Sequence, residues 1–134
     1  MIPDTVMPEP AGMVGERLRA LLPGVFVAPE RTANMPIPAV LYDCSSSGQV
    51  LNAPTGWTVD LGVTVLAPAE QVEDLVKTVY AGVRSWKGTS SPHGHVVTVT
   101  DTQLPELQDQ SSTAGKPVVA YRGSWRLLCR TITN

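Results

Sequence analysis

The stretch Trp57 to Trp86, WTVDLGVTVLAPAEQVEDLVKTVYAGVRSW, changes its hydrophobic period once, and that change decides the fold. In its first part Trp57, Val59, Leu61, Val63 and Val65 alternate with Thr58, Asp60, Gly62 and Thr64, which places the two sets on opposite faces of a β-strand. After Pro68 the period lengthens, and Val72, Leu75, Val76, Val79, Tyr80, Val83 and Trp86 share one stripe at helical spacing. Glu70, Glu73 and Asp74 crowd the first turns of this helix, Arg84 and Lys87 lie at its end, and Gly88 follows as a stop. That distribution suits the helix dipole and the preference for glycine just past a helix. A strand apolar on one side only, followed by an amphipathic helix, calls for a sheet with one covered face and one free face.

Working outward, HVVTVTD (His95 to Asp101) alternates again, and the last strand runs from Val118 to about Thr133. Val119, Tyr121, Trp125, Leu127 and Cys129 form one side of that last strand; Ala120, Arg122, Ser124, Arg126, Leu128 and Arg130 form the other. Between these two strands, Thr102 to Pro117 reads as a long polar loop, and Ser45 to Gly56 (SSSGQVLNAPTG) as turn and loop chemistry. VFVA (Val25 to Ala28) and AVLYD (Ala39 to Asp43) are at most short strands, separated by PERTANMPIP with its prolines at 29, 36 and 38. Near the start, Met13, Val14, Leu18, Leu21 and Leu22 fit a first helix entered at Pro10 and ended by Pro23-Gly24, after an extended lead over residues 1–10. The expected fold is α+β: an antiparallel or mixed sheet of about four to five strands with two helices packed on one face. At 134 residues the chain forms one domain spanning 1–134.

Composition and motifs narrow the chemistry. No apolar run approaches the roughly 18 residues of a membrane helix, so no membrane partner is expected. The start, MIPDTVMPEPAG, carries Asp4 and Glu9 where a signal peptide would need basic and then apolar segments, which predicts synthesis in the cytoplasm. Cys44 and Cys129 form no CxxC pair, and reduced thiols follow. His93 and His95 share an HxH spacing, but two further ligands at recognisable positions are missing, so a solvated turn explains them better than a metal. Cys44, in DCSSSG, lacks the strand-turn-helix setting of a nucleophile elbow and reads as a loop cysteine. With no Gly-rich phosphate loop and no paired acid and base, neither an enzyme nor a cofactor is expected.

What stands out is the arginine-bearing side of the last strand, in a stretch without an acidic residue from Ser111 to Asn134, although the formal net charge is -2. An edge strand can carry such charges merely to block unwanted pairing. Specific nucleic-acid binding fits poorly, because the pI is near 5.6 and Tyr121 and Trp125 alternate to the other side. A protein interface is the third reading: Asp60, on the polar side of the long strand, would meet an arginine of a neighbouring copy, with Arg122, Arg126 and Arg130 as further interface residues. One such head-to-tail contact, repeated, makes a ring if the rotation closes.

The order of these segments resembles the tail terminator (tail completion) proteins of long-tailed bacteriophages. The resemblance spans about residues 10–134 and rests on LRALLPGVFV, PAVLYD, WTVDLGVTVLAP, AEQVEDLVKTVYAGVRSW and the terminal YRGSWRLLCRTI. It implies a structural virion protein at the junction of neck and tail, forming a homohexameric ring that caps the tail tube and offers the head a docking surface. Its partners would be further copies of itself, the major tail tube protein and the head-tail connector or stopper, with DNA passing through the lumen unread. Other phage neck or minor tail structural proteins share this order of elements, and a small nucleic-acid-binding domain is the remaining alternative.

Overall fold

The computed structural model describes residues 9–32, 34–50, 53–92, 94–113 and 116–130. Along the chain run α1 (Pro10–Leu21), β1 (Phe26–Ala28), β2 (Ala39–Val50), β3 (Ala53–Pro68), α2 (Ala69–Arg84), β4 (Thr89–Ser91), β5 (Gly94–Thr113) and β6 (Lys116–Arg130). The strands form one mixed sheet in the order β1-β2-β3-β6-β5-β4, with β1 parallel to β2 and every other neighbouring pair antiparallel.

The α+β class therefore holds, but the described sheet has six strands where about four to five were expected. Most of both predicted loops is strand. β2 continues through SSSGQV and pairs with β3 as far as Val50↔Ala53, while β5 takes up Thr102 to Thr113 and pairs with β6 as far as Thr113↔Lys116. Even the turn-rich KGTSSPHG contributes β4. The backbone ladder with a neighbouring strand holds these segments, and it requires no apolar period in their residues. The lead over residues 1–8, His93 and the end beyond Arg130 lie outside the described residues.

The covered face follows the sequence pattern. Val59, Leu61, Val63 and Val65 of β3, with Val119, Trp125, Leu127 and Cys129 of β6, form one core with Met13, Val14 and Leu18 of α1 and Val72, Val79 and Val83 of α2. Each of the larger side chains contributes about 1.5–3 kcal/mol on burial, which seats both helices on this one face. Tyr80 leans on Trp125 with ring centroids 6.3 Å apart. The Arg17 guanidinium of α1 lies 5.7 Å from the Trp86 ring centroid and donates to the Thr89 carbonyl at 2.9 Å, tying α1 to β4.

The opposite face was expected to be free, and at one end it is covered. Ala39, Leu66, Val118 and Ala120 are buried there beneath Phe26, Met35, Ile37 and Leu41. The Pro-rich crossing, with a cis Ile37–Pro38 bond and Asn34 in the left-handed region (φ 59°), makes this second, smaller cluster possible by folding back over the sheet. Only the rest of that face is left for function.

Candidate functional site on the open sheet face

On the antiparallel ladder of β3 and β6, Asp60 stands opposite Arg126, Gly62 opposite Ser124, and Thr64 opposite Arg122. Directly opposed side chains share a face at about 4.5–5.5 Å between Cβ atoms, close enough to pair. Arg126 Nε donates to Asp60 Oδ1 at 2.9 Å. Arg122 reaches further: Nη1 donates to Thr64 Oγ1 at 3.3 Å, and Nη2 donates to Asp43 Oδ1 and Oδ2 at 3.0 and 2.9 Å. Asp43 is on β2, so this bond passes over β3 at Gly62, the residue opposite Asp43 in the β2 ladder. A Cβ at Gly62 would occupy the space of the Arg122 guanidinium and the Asp43 carboxylate, which explains a glycine in the middle of a strand.

Together these side chains line a shallow depression of about 390 Å³, bordered by Asp43, Ser45, Asp60, Gly62, Arg122 and Arg126. Thr102 Oγ1 donates to Ser124 Oγ at 2.9 Å and closes one side. Asp60, Arg122 and Arg126 are thus brought together, whereas Arg130 stands exposed at the end of β6, opposite Gly56 and His95. Asp60 was expected to meet an arginine of a neighbouring copy; within this chain it meets Arg126. Asp43, Thr64 and Gly62 were missed as members of the site. Continuing the period of two through Leu41, Asp43 and Ser45 would have placed Asp43 on this face, but only the strand register shows which arginine it meets.

The other reactive groups are quenched. Cys44 sits in β2 opposite Leu61 and packs against the core, not in a loop, and burial pushes its thiol up to about 12. Burial likewise raises the Cys129 thiol to about 11, so neither is a thiolate nucleophile near neutral pH. His95 Nδ1 lies 2.6 Å from Ser90 Oγ, and desolvation, then Arg130 and Arg17, lowers its pKa and favours the neutral ring. Asp101 receives a 2.6 Å hydrogen bond from the Tyr80 hydroxyl and lies 3.1 Å from Arg84 Nη1, which anchors α2 to β5. The Tyr80 bond holds the Asp101 carboxyl below its usual range, with Arg84 contributing, and the same bond raises the Tyr80 phenol. Among the described residues no three His, Cys, Asp or Glu side chains come close enough to hold a metal ion, and no helix is long and apolar enough to cross a membrane.

Chemically, the open face is a set of donors and acceptors already paired across strands, flanked by an exposed arginine. The chain matches no protein-family model, and no curated protein matches its sequence.

Proposed function

We propose that this chain is a structural subunit of a phage tail, assembling into a hexameric ring that caps the tail tube, stops its elongation and provides the surface on which the head docks. The observation that carries this reading is the two-sided sheet: both helices bury one face, and much of the other is left to a charge-compensated patch around Asp60, Arg122 and Arg126. Charges already satisfied within the chain need less reorganisation when a polar partner covers them than bare arginines would, so such a patch can be read by a partner of matching polarity. The resemblance in element order to tail terminators supplies the rest of the reading.

Capping then follows from complementarity. The last ring of a growing tube is a six-fold template that raises the effective concentration of subunits at the tip, so copies close there before they close in solution. The seated ring hides the surface to which further tube subunits would add. The partners in this scheme are the tail tube protein below, the head-tail connector or stopper above, and DNA passing through the lumen without sequence recognition.

Negative-stain microscopy of the purified protein, mixed with tubes grown from the matching tube protein, tests the proposal. Rings at tube tips and arrested elongation are expected. Tips left bare, with tubes that keep growing, refute it; tails of normal length assembled without this subunit would assign it to another neck or minor tail role.

A further inference from the structure

Towards its end β6 places Arg126, Leu128 and Arg130 in succession on the open face, and the groups they offer are not used up within the chain. A guanidinium carries five N–H donors. Arg122 directs both Nη atoms to Thr64 and Asp43, whereas Arg126 engages only Nε, on Asp60 Oδ1, which leaves its two Nη groups without a partner among the described residues. Arg130 is exposed, stands between Gly56 and His95 on the two neighbouring strands, and forms no ion pair among the described residues. Leu128, between Thr58 and Thr98, is half-buried and belongs to neither core cluster.

These groups define the ligand they can take. On the ladder rows of Arg126, Leu128 and Arg130, Asp60 is the one carboxylate facing the two arginines, so this end of the face keeps a positive surplus and unspent donors. An anion is required, and the two Nη groups of an arginine match a carboxylate bidentately. A nucleic-acid strand is the poorer fit: Asp43, Asp60 and Glu106 share this face and repel phosphates, while Tyr121 and Trp125, the rings on which bases could stack, lie on the other. Four residues along a strand span about 13 Å, so the ligand must hold two carboxylates that far apart with an apolar group between them. Residues i, i+2 and i+4 of an extended segment do so, because alternate side chains of a strand point the same way.

We infer that this end of the open face binds an extended acidic segment of a partner protein, in which an acidic, an apolar and a second acidic residue occupy alternate positions. The two carboxylates meet Arg126 and Arg130, and the apolar residue covers Leu128. Asp60 serves here as a positioning residue: its bond to Nε holds the Arg126 side chain, so less freedom is lost when the carboxylate arrives. The inference rests on the reading of the open face as a contact surface, and it needs neither the hexamer nor the tube.

Proton–nitrogen correlation spectra of the full chain, titrated with the end-capped peptide Gly-Glu-Thr-Val-Thr-Glu-Gly, provide the test. Saturable shifts centred on residues 126–130 and their strand neighbours are expected, with the Arg126 Nε–H signal among them. Glutamine in place of both glutamates of the peptide should weaken binding roughly five- to twentyfold, and moving the two glutamates to neighbouring alternate positions roughly two- to fivefold, since one carboxylate then loses its arginine. Arg130→Gln, which breaks no ion pair within the chain, and Arg126→Gln should each weaken binding roughly two- to fivefold. Arg126→Glu combined with Arg130→Glu should reverse the preference, so that the same peptide with lysines for glutamates binds instead. A dispersed spectrum checks that each variant folds. No shifts at millimolar peptide, equal binding of the glutamine or the respaced peptide, glutamine variants that bind as the wild type does, or a reversed patch that ignores the lysine peptide each overturns the inference. Tighter binding of a short oligothymidylate or of inorganic phosphate also overturns it, by assigning the patch to phosphate. Tube capping by a protein that ignores the peptide would overturn this inference and leave the proposed function standing; recognition of the peptide with bare tube tips would do the reverse.

Discussion

Reversing the charge of Arg126 should report first on the fold and then on assembly, and a compensating change at Asp60 separates the two. The pair is directly opposed on the β3–β6 ladder at 2.9 Å, with side chains 58% and 40% exposed. Pairs so accessible to solvent contribute about 0.2–1 kcal/mol. Arg126→Glu removes that amount and leaves two carboxylates facing each other across the strands, which costs a similar amount again. The total is a loss of about 0.5–2 kcal/mol, shrinking in high salt as screening takes over. Asp60→Arg alone sets two guanidinium groups against each other with a comparable loss. Combined, the two substitutions rebuild the pair with its polarity reversed, and stability should return to within about 0.5 kcal/mol of the wild type. Urea denaturation followed by tryptophan emission measures this, since Trp125 is fully buried and its environment changes on unfolding. Additive losses in the double variant would refute the cross-strand pair. If the restored double variant still fails to seat on tail tubes, the partner reads the charge pattern of this face; if it seats normally, the pair is a structural staple.

Gly82 of α2 gives a prediction of opposite sign in two backgrounds. Helix propensity alone favours Gly82→Ala by about 1 kcal/mol, but a Cβ there would collide with the side chain of Leu21 on α1, an overpacking cost of about 1–3 kcal/mol. Neutral to about 2 kcal/mol destabilising is expected in the wild type, and a gain near 1 kcal/mol beside Leu21→Ala; a gain in both would mean the helices do not meet there. Because the folded Asp101 carboxyl is depressed, its contribution is present above the ordinary carboxylate range and lost as pH falls through the folded value, while the raised Tyr80 phenol loses its contribution as pH rises through its own folded value. The stability gap between wild type and Asp101→Asn should accordingly narrow toward both acid and strong alkali, and a gap independent of pH would contradict the Tyr80–Asp101–Arg84 cluster. With their thiols raised to about 12 and about 11, half-buried Cys44 and buried Cys129 should resist iodoacetamide at pH 8 in the native protein and react once urea unfolds it; rapid native labelling would contradict their packing against the core.

Where an element buries one face, its period was legible in the residues. The alternation of Val59, Leu61, Val63 and Val65, the stripe from Val72 to Trp86 and the odd-numbered side of the last strand all lie in the core where they were expected. Ser45 to Val50 and Thr102 to Thr113 were misread as loops for the converse reason. They are strands by virtue of ladder bonds to β3 and β6, and Ser, Gly, Gln and Pro in them report no burial. The second apolar cluster was equally hidden, because Leu66, Val118 and Ala120 occupy the polar phase of their strands and are buried only by a crossing that returns from elsewhere in the chain.

The candidate site divides along the same line. Local alternation sufficed to place Asp60, Arg122, Arg126 and Arg130 on one side of their strands, since the direction of each side chain follows from residue parity within its own strand. Which charge meets which was decided by tertiary structure alone. Asp60 and Arg126 are 66 residues apart and Asp43 and Arg122 are 79 apart, and they become neighbours only because β3 lies between β2 and β6 in one particular register. Slipping that register by one residue would turn the whole polar set toward the core. What holds it is the burial of Val63, Trp125 and their neighbours on the far side of the sheet, so the hydrophobic face sets the pairing on the charged one.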